Sequence, residues 1–141
     1  MNKQRTPQEM LDLLVQNDAF SKWMGLRNIE IAAGYTKFEY TIVPEMINGL
    51  GTVHGGVLFA AADSALAFAA NSHDVLSVAM EVSISFTKAA RLHDVLTVEA
   101  TEVHSGRKTG VYDIRTHNQN GELVCWFKGT VYKTDKRVGL E

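Results

Sequence analysis

Residues 48–71 read NGLGTVHGGVLFAAADSALAFAAN. A glycine-rich loop runs into His54-Gly55-Gly56, and Val, Leu, Phe and Ala then follow almost without a break to Asn71. That composition predicts a helix over 55–72, with Asn71 and Ser72 as its terminators. The helix is too apolar all round to lie on a surface, so it should be the rod about which other elements pack. One carboxylate, Asp63, interrupts it. Asp is a poor helix-interior residue and expensive to bury. It therefore needs either a structural partner (Ser64, a backbone group or a buried cation such as Arg) or chemistry to do.

Upstream, Thr6-Pro7-Gln8-Glu9 has the N-cap, first-position proline and capping-box glutamate of a helix start. Leu11, Leu14 and Val15 then give a short amphipathic helix over about 7–20. Trp23, Met24 and Leu26 read as anchors that pack this segment onto the body. Strands over 29–32 and 36–43 flank an Ala33-Gly34 turn. Downstream of the long helix every signal is strand. Met80, Val82, Ile84 and Phe86 alternate with polar residues, as in a half-buried strand. Leu96, Val98 and Ala100 do the same until the pattern slips at Glu102-Val103, where a bulge or strand end is expected. Segments 111–118 and 123–133 flank Asn120-Gly121, a two-residue hairpin signal. No second helix separates the later strands. The expected class is therefore α+β, a sheet wrapped around one helix, rather than a doubly wound sheet.

Composition agrees with a globular protein: 141 residues, 45% hydrophobic and 21% charged, fit one domain over 1–141. A net charge of −2 gives no bulk attraction to nucleic acid or anionic membrane. The longest apolar run, 57–70, is broken by Asp63-Ser64 and is shorter than a membrane span. The start Met1-Asn2-Lys3-Gln4-Arg5-Thr6 carries no secretory h-region. A lone Cys125 allows no internal disulfide and suits a reducing compartment. A cytoplasmic location is expected, with neither nucleic acid nor membrane as partner.

Gly55 and Gly56 have a structural reading, a tight loop into a helix, and a functional one. A helix N-terminus presents unpaired N–H groups, and glycine lets a ligand come close to them. Around Asp63, Gly56, Ala60, Ala67 and Ala70 form a stripe of small side chains at helical spacing, while Phe59 and Leu66 are free to fill the core. Such a stripe fits an interface or narrow tunnel, or simply an alanine-rich core helix. Gly55 and Asp63 are eight residues apart, about 12 Å along one helix. A reacting carbonyl needs both groups within about 3 Å. One helix cannot bring both to one carbon, but two antiparallel copies can, so a joint role requires at least a dimer. Other chemistries find no support. His73, His93, His104 and His117 have no metal-ligand spacing. No GxSxG elbow occurs and Cys125 sits in an apolar strand run. The glycines match neither Rossmann nor Walker spacing. Lys88, Arg91, Arg107 and Lys108 are candidate phosphate contacts, and Trp126 and Tyr132 are packing or subunit-interface groups.

The segment Asn48-Gly49 … His54-Gly55-Gly56-Val57-Leu58-Phe59 … Ala62-Asp63-Ser64-Ala65 … Asn71-Ser72 resembles the PaaI-type hotdog acyl-CoA thioesterases of phenylacetate degradation. So do Gly106-Arg107-Lys108-Thr109-Gly110-Val111-Tyr112-Asp113-Ile114 and Phe127-Lys128-Gly129. The likeness extends from about Leu26 to Tyr132. It implies a hotdog fold, with a curved antiparallel sheet around the long helix, paired as a dimer and further as a tetramer of two dimers. Asp63 would be the catalytic carboxylate, as nucleophile or as general base for water. The Gly55 N–H would polarise the thioester carbonyl, and Asn48 and His54 would position the substrate or the attacking water. Gly56, Ser64, Lys88, Arg107 and Lys108 would bind the substrate. The resemblance implies no metal and no separate cofactor, coenzyme A being part of the substrate. Two departures stand out: Ser64 replaces a frequent Thr, and Thr87-Lys88-Ala89-Ala90 lacks the Arg-Pro or similar pair expected there. The expected substrate is an aryl-acetyl-CoA or similar small-to-medium acyl-CoA. A medium- or long-chain thioesterase, a non-catalytic acyl-CoA-binding module, and a dehydratase pairing His54 with Asp63 remain as alternatives.

Overall fold

Local capping sets the first element of the chain, of which the computed structural model describes residues 3–139. Met1 and Asn2, part of the start read above as carrying no secretory h-region, lie outside that range, as do Leu140 and Glu141. Thr6 Oγ1 accepts from the Glu9 N–H at 3.2 Å and Glu9 Oε2 accepts from the Thr6 N–H at 2.7 Å. This reciprocal pair opens α1 (Pro7–Gln16). The helix expected to reach about residue 20 stops at Asn17. A second one, α2 (Ala19–Met24), starts from its own cap, with Asp18 Oδ1 accepting from the Ser21 N–H at 3.0 Å. Ser21 and Met24 form the buried stripe of α2, and Leu26 packs against the core. Trp23 falls off that stripe and is 57% exposed beside Phe20, so it is not the anchor its composition suggested.

The chain then builds one antiparallel sheet and a helix that crosses it. The elements are β1 (Arg27–Ala32), β2 (Tyr35–Thr41), a single 3-10 turn (Pro44–Met46), α3 (Gly55–Asn71), β3 (Ser77–Phe86), β4 (Val95–Ser105), β5 (Thr109–His117) and β6 (Leu123–Lys133). Strand order is β1-β2-β4-β5-β6-β3. Phe38 and Tyr40 of β2, Val98 of β4, Ile114 of β5 and Phe127 of β6 are fully buried in one core with Leu66 of α3. The expected sheet around one long helix is therefore what forms. Asn71 and Ser72 end that helix by side-chain bonding. Asn71 exchanges hydrogen bonds with the Ser77 backbone, and Ser72 Oγ donates to Ala69 O and accepts from the Gly34 N–H.

The pattern slip in β4 is a bulge between Glu102 and His104 that turns Val103 outward. The β5–β6 hairpin forms, but its loop has three residues, Gln119, Asn120 and Gly121, not two. Asn118 and Glu122 close it, Gly121 has φ +75°, and Asn118 Oδ1 accepts from the N–H groups of both Asn120 and Glu122. Those extra acceptor bonds favour the longer loop.

β3 departs most from expectation. Val82 and Ile84 pack on the core, whereas Met80 is 60% and Phe86 54% exposed. The cause is position. β3 is the last strand of the sheet, paired only with β6, and a register shift between Ala79 and Glu81 breaks the alternation. At its start the loop from α3 is clasped by Asp74, whose side chain is 1% exposed. The Arg5 N–H and Nε donate to its two oxygens at 2.9 Å, and Arg137 Nε donates to Oδ2 at 3.0 Å. Burial alone would raise the Asp74 carboxyl, but the hydrogen bonds from Arg137 and Arg5 outweigh it and hold the group far below the usual carboxylate range. Among the described residues no helix is long and apolar enough to cross a membrane.

Candidate functional site

The loop before α3 is built to deliver a helix start. Ile47 and Val53 form an isolated bridge, and the His54 N–H donates to Met46 O at 2.9 Å. Asn48 Oδ1 accepts from the N–H groups of Leu50 (2.9 Å) and Thr52 (3.1 Å) and from the Thr52 hydroxyl, while its amide nitrogen also donates to that hydroxyl. Its side chain is thus engaged inside its own loop. His54 is the N-cap: Nδ1 accepts from the Gly56 N–H at 2.8 Å, so the ring proton of the neutral imidazole sits on Nε2. A Cβ at Gly56 would stand 2.9 Å from that Nδ1, which explains the glycine. The Val57 N–H donates to His54 O. The Gly55 N–H is left without a partner among the described residues, a free donor at the positive end of α3.

That donor lies on a cleft of about 330 Å³ walled by Val53, Leu58, Phe86, Ala89 and Ala90, with Lys88 at its side. The loop carrying Lys88 is pinned by the Thr87 and Lys88 N–H groups, both donating to Val124 O. The Lys88 ammonium is 2.9 Å from Glu122. Phe86 was not foreseen here. Only the sheet register, which sets the end of β3 beside the start of α3, brings it to Gly55.

Asp63 lies elsewhere, on a second cleft of about 230 Å³ with Leu66, Ala67, Ser77, Val78 and Ala79. Instead of being buried as read from the sequence, it is exposed on the bare side of α3. No side chain or backbone donor among the described residues bonds it, and partial burial raises its carboxyl above the usual range. Gly56 and Ala67 are exposed and Ala60 partly so, which gives an open stripe of small residues about Asp63. Ala70 does not belong to it, being 1% exposed and turned to the sheet. Ser64 is half-buried beside Asp63 and lines neither cleft.

Arg107 and Lys108 occupy the β4–β5 turn. Lys108 Nζ is 3.4 Å from Asp135 and 5.9 Å from the Tyr132 ring centroid. Phe86 pairs with Cys125 and Thr109 with Tyr132. The stretch of β6 between them spans about 23 Å, so one copy does not join this turn to the Gly55 cleft. Among the described residues no three His, Cys, Asp or Glu side chains gather as metal ligands would.

Comparison with known proteins agrees with this geometry. The thioesterase superfamily pattern matches residues 50–125. The acyl-coenzyme A thioesterase PaaI of Escherichia coli (strain K12) is 37% identical over 120 residues, which is 85% of this chain and 86% of that protein. The solved structure of the E. coli PaaI protein, from the phenylacetic acid degradation operon, matches with a TM-score of 0.90 at 34% identity, covering 93% of this chain and 95% of that one. A hypothetical thioesterase protein from Streptococcus pneumoniae TIGR4, solved with coenzyme A, matches with a TM-score of 0.82 at 32% identity, over 89% and 98% of the two chains. With six antiparallel strands wrapped around one helix, the hotdog arrangement, the chain belongs to the thioesterase superfamily.

Proposed function

We propose that the chain is an acyl-CoA thioesterase whose complete site forms between two antiparallel copies, each setting its Gly55 against the other's Asp63. One observation carries this reading: α3 holds two unpartnered groups, the Gly55 N–H and the Asp63 carboxylate, too far apart along one rod to act on one carbon. The open small-residue stripe lets a second α3 approach closely, and the free edge of β3 lies alongside for a second β3 to extend the sheet.

In that pair the Gly55 N–H holds the thioester carbonyl oxygen as negative charge develops on it. Asp63 either takes a proton from the attacking water or adds to the carbonyl itself, giving an anhydride that water then opens. In both courses the carbon–sulfur bond breaks, a carbon–oxygen bond forms, and coenzyme A leaves as the thiolate. His54 fixes the first turn of α3, and Asn48 shapes the loop that leads to it. Lys88 at one end, and Arg107 and Lys108 from the turn that an antiparallel copy swings to that end, face the phosphates of coenzyme A. Residues 1–141 act as one domain in this reading, and two such pairs assemble as a tetramer.

The substrate is an aryl-acetyl-CoA, a reading supported by the similarity to E. coli PaaI and by the apolar cleft at Gly55. Thiol release from phenylacetyl-CoA, hydroxyphenylacetyl-CoA and straight-chain esters tests it. Turnover is expected with the aryl esters, and Asp63→Asn should lower it by about two orders of magnitude or more while the product coenzyme A still binds. Binding without turnover across the whole panel, or unchanged turnover in the variant, rejects the reading.

A further inference from the structure

We infer that Phe86 determines which acyl groups the site accepts, selecting aromatic ones through the edge of its own ring; this rests on the Gly55 N–H being the carbonyl donor. The observation behind it is a contact that the chemistry so far leaves unused. The far end of the Phe86 ring points at Gly55, with Cζ 3.2 Å and Cε1 and Cε2 3.6 and 3.7 Å from where a Cβ would stand. Gly55 and Phe86 also wall the same cleft, so a carbonyl oxygen bonded to the Gly55 N–H sets its acyl substituent in the space that this ring borders.

Besides the polar Thr52, Thr87 and Lys88, the rest of the cleft offers an acyl group no second aromatic surface. Val53, Leu58, Ala89 and Ala90 are aliphatic and accept alkyl and aryl groups alike. Phe86 is 54% exposed, and its ring stacks on no other aromatic ring among the described residues. Its rim carries partial positive charge, which favours the face of an incoming aryl group in an edge-to-face arrangement and gives an alkyl chain no such preference. Phe86 reaches this place because it is the last residue of β3 and pairs with Cys125 near the start of β6.

The test is the ratio of kcat/KM for phenylacetyl-CoA to that for octanoyl-CoA, an ester with the same number of acyl carbons. Phe86→Leu keeps an apolar side chain of similar bulk and removes the ring. The ratio should fall about three- to tenfold in Phe86→Leu and stay near the wild-type value in Phe86→Tyr, which keeps the ring edge. Size-exclusion chromatography of both variants controls for assembly, and a loss of folding or pairing would lower both esters together. An unchanged ratio in Phe86→Leu, with hydrolysis intact, overturns the role of Phe86 alone. A wild-type protein that hydrolyses neither ester overturns the thioesterase reading beneath it.

Discussion

At His54 the imidazole that looked from sequence like a substrate contact is also the cap of α3, and the two roles make different demands on a replacement. Asn retains an N-cap acceptor and Ala does not. His54→Ala should lose about 1 kcal/mol of stability in thermal or urea unfolding, while His54→Asn stays within a few tenths. If the cap is what serves catalysis, by holding the first turn and with it the Gly55 N–H, the Asn variant keeps kcat/KM within a few-fold and the Ala variant does not. Equal losses in both would assign the imidazole a direct contact. At Asp63 the carboxyl is raised by partial burial, and in its proposed role as nucleophile or base it works only when ionised. The rate should therefore rise with pH through an apparent pKa above the usual Asp value of about 3.9, and fall as pH drops through it. A kcat/KM profile on phenylacetyl-CoA reads this directly. Both residues could be singled out from sequence because their types are rare in such surroundings. That Asp63 stands open to solvent in one copy, and that His54 bonds back to Gly56, are matters of direction that residue type does not carry.

Elements were legible where their signals are local. The capping box at Thr6 and Glu9, the apolar run of α3 and the pattern slip at Glu102-Val103 each lie within a few residues of the structure they specify, and each forms. The break at Asn17 was equally local, written in Asp18 and Ser21, but the continuing apolar pattern masked it. β3 failed for another reason. Alternation reports which residues could face a core, and only the strand order says that one edge of β3 and one side of α3 stay uncovered. That joint surface is testable through Ala67, exposed on the bare stripe four residues from Asp63. Ala67→Arg places a long cation where one copy has solvent, so the fold should persist by circular dichroism. In the proposed pair the same group meets the opposing helix. Light scattering should then show the mass fall to that of one copy, and turnover should vanish with it. An Ala67→Arg protein that remains paired and active would mean that α3 does not meet α3.

The molecule as a whole is closed by Asp74, which draws the segment before α1 and the segment after β6 onto the α3–β3 loop. Removing the charge leaves two guanidinium groups facing a neutral amide with one acceptor oxygen instead of two, so Asp74→Asn should cost about 2 kcal/mol or more at neutral pH. The sign of the pH effect follows from the depressed carboxyl. Its stabilisation is present in full above the unfolded-state value of about 3.9 and is lost as pH falls towards the lower folded-state value. Denaturant titrations should show wild type and variant far apart at pH 7 and converging as the medium is acidified below about pH 4. This clasp was invisible in the sequence because Arg5, Asp74 and Arg137 share no local pattern, only a meeting point.

Because residues 5 and 137 grip the same carboxylate, the backbone traces nearly a full circuit and returns to its point of departure. Residues 5 and 137 therefore sit on one shared flank, beside the exit of the long rod and remote from the mouth where Phe86 leans over Gly55. An affinity handle or fluorescent reporter is therefore best carried there, and the far rim best left bare.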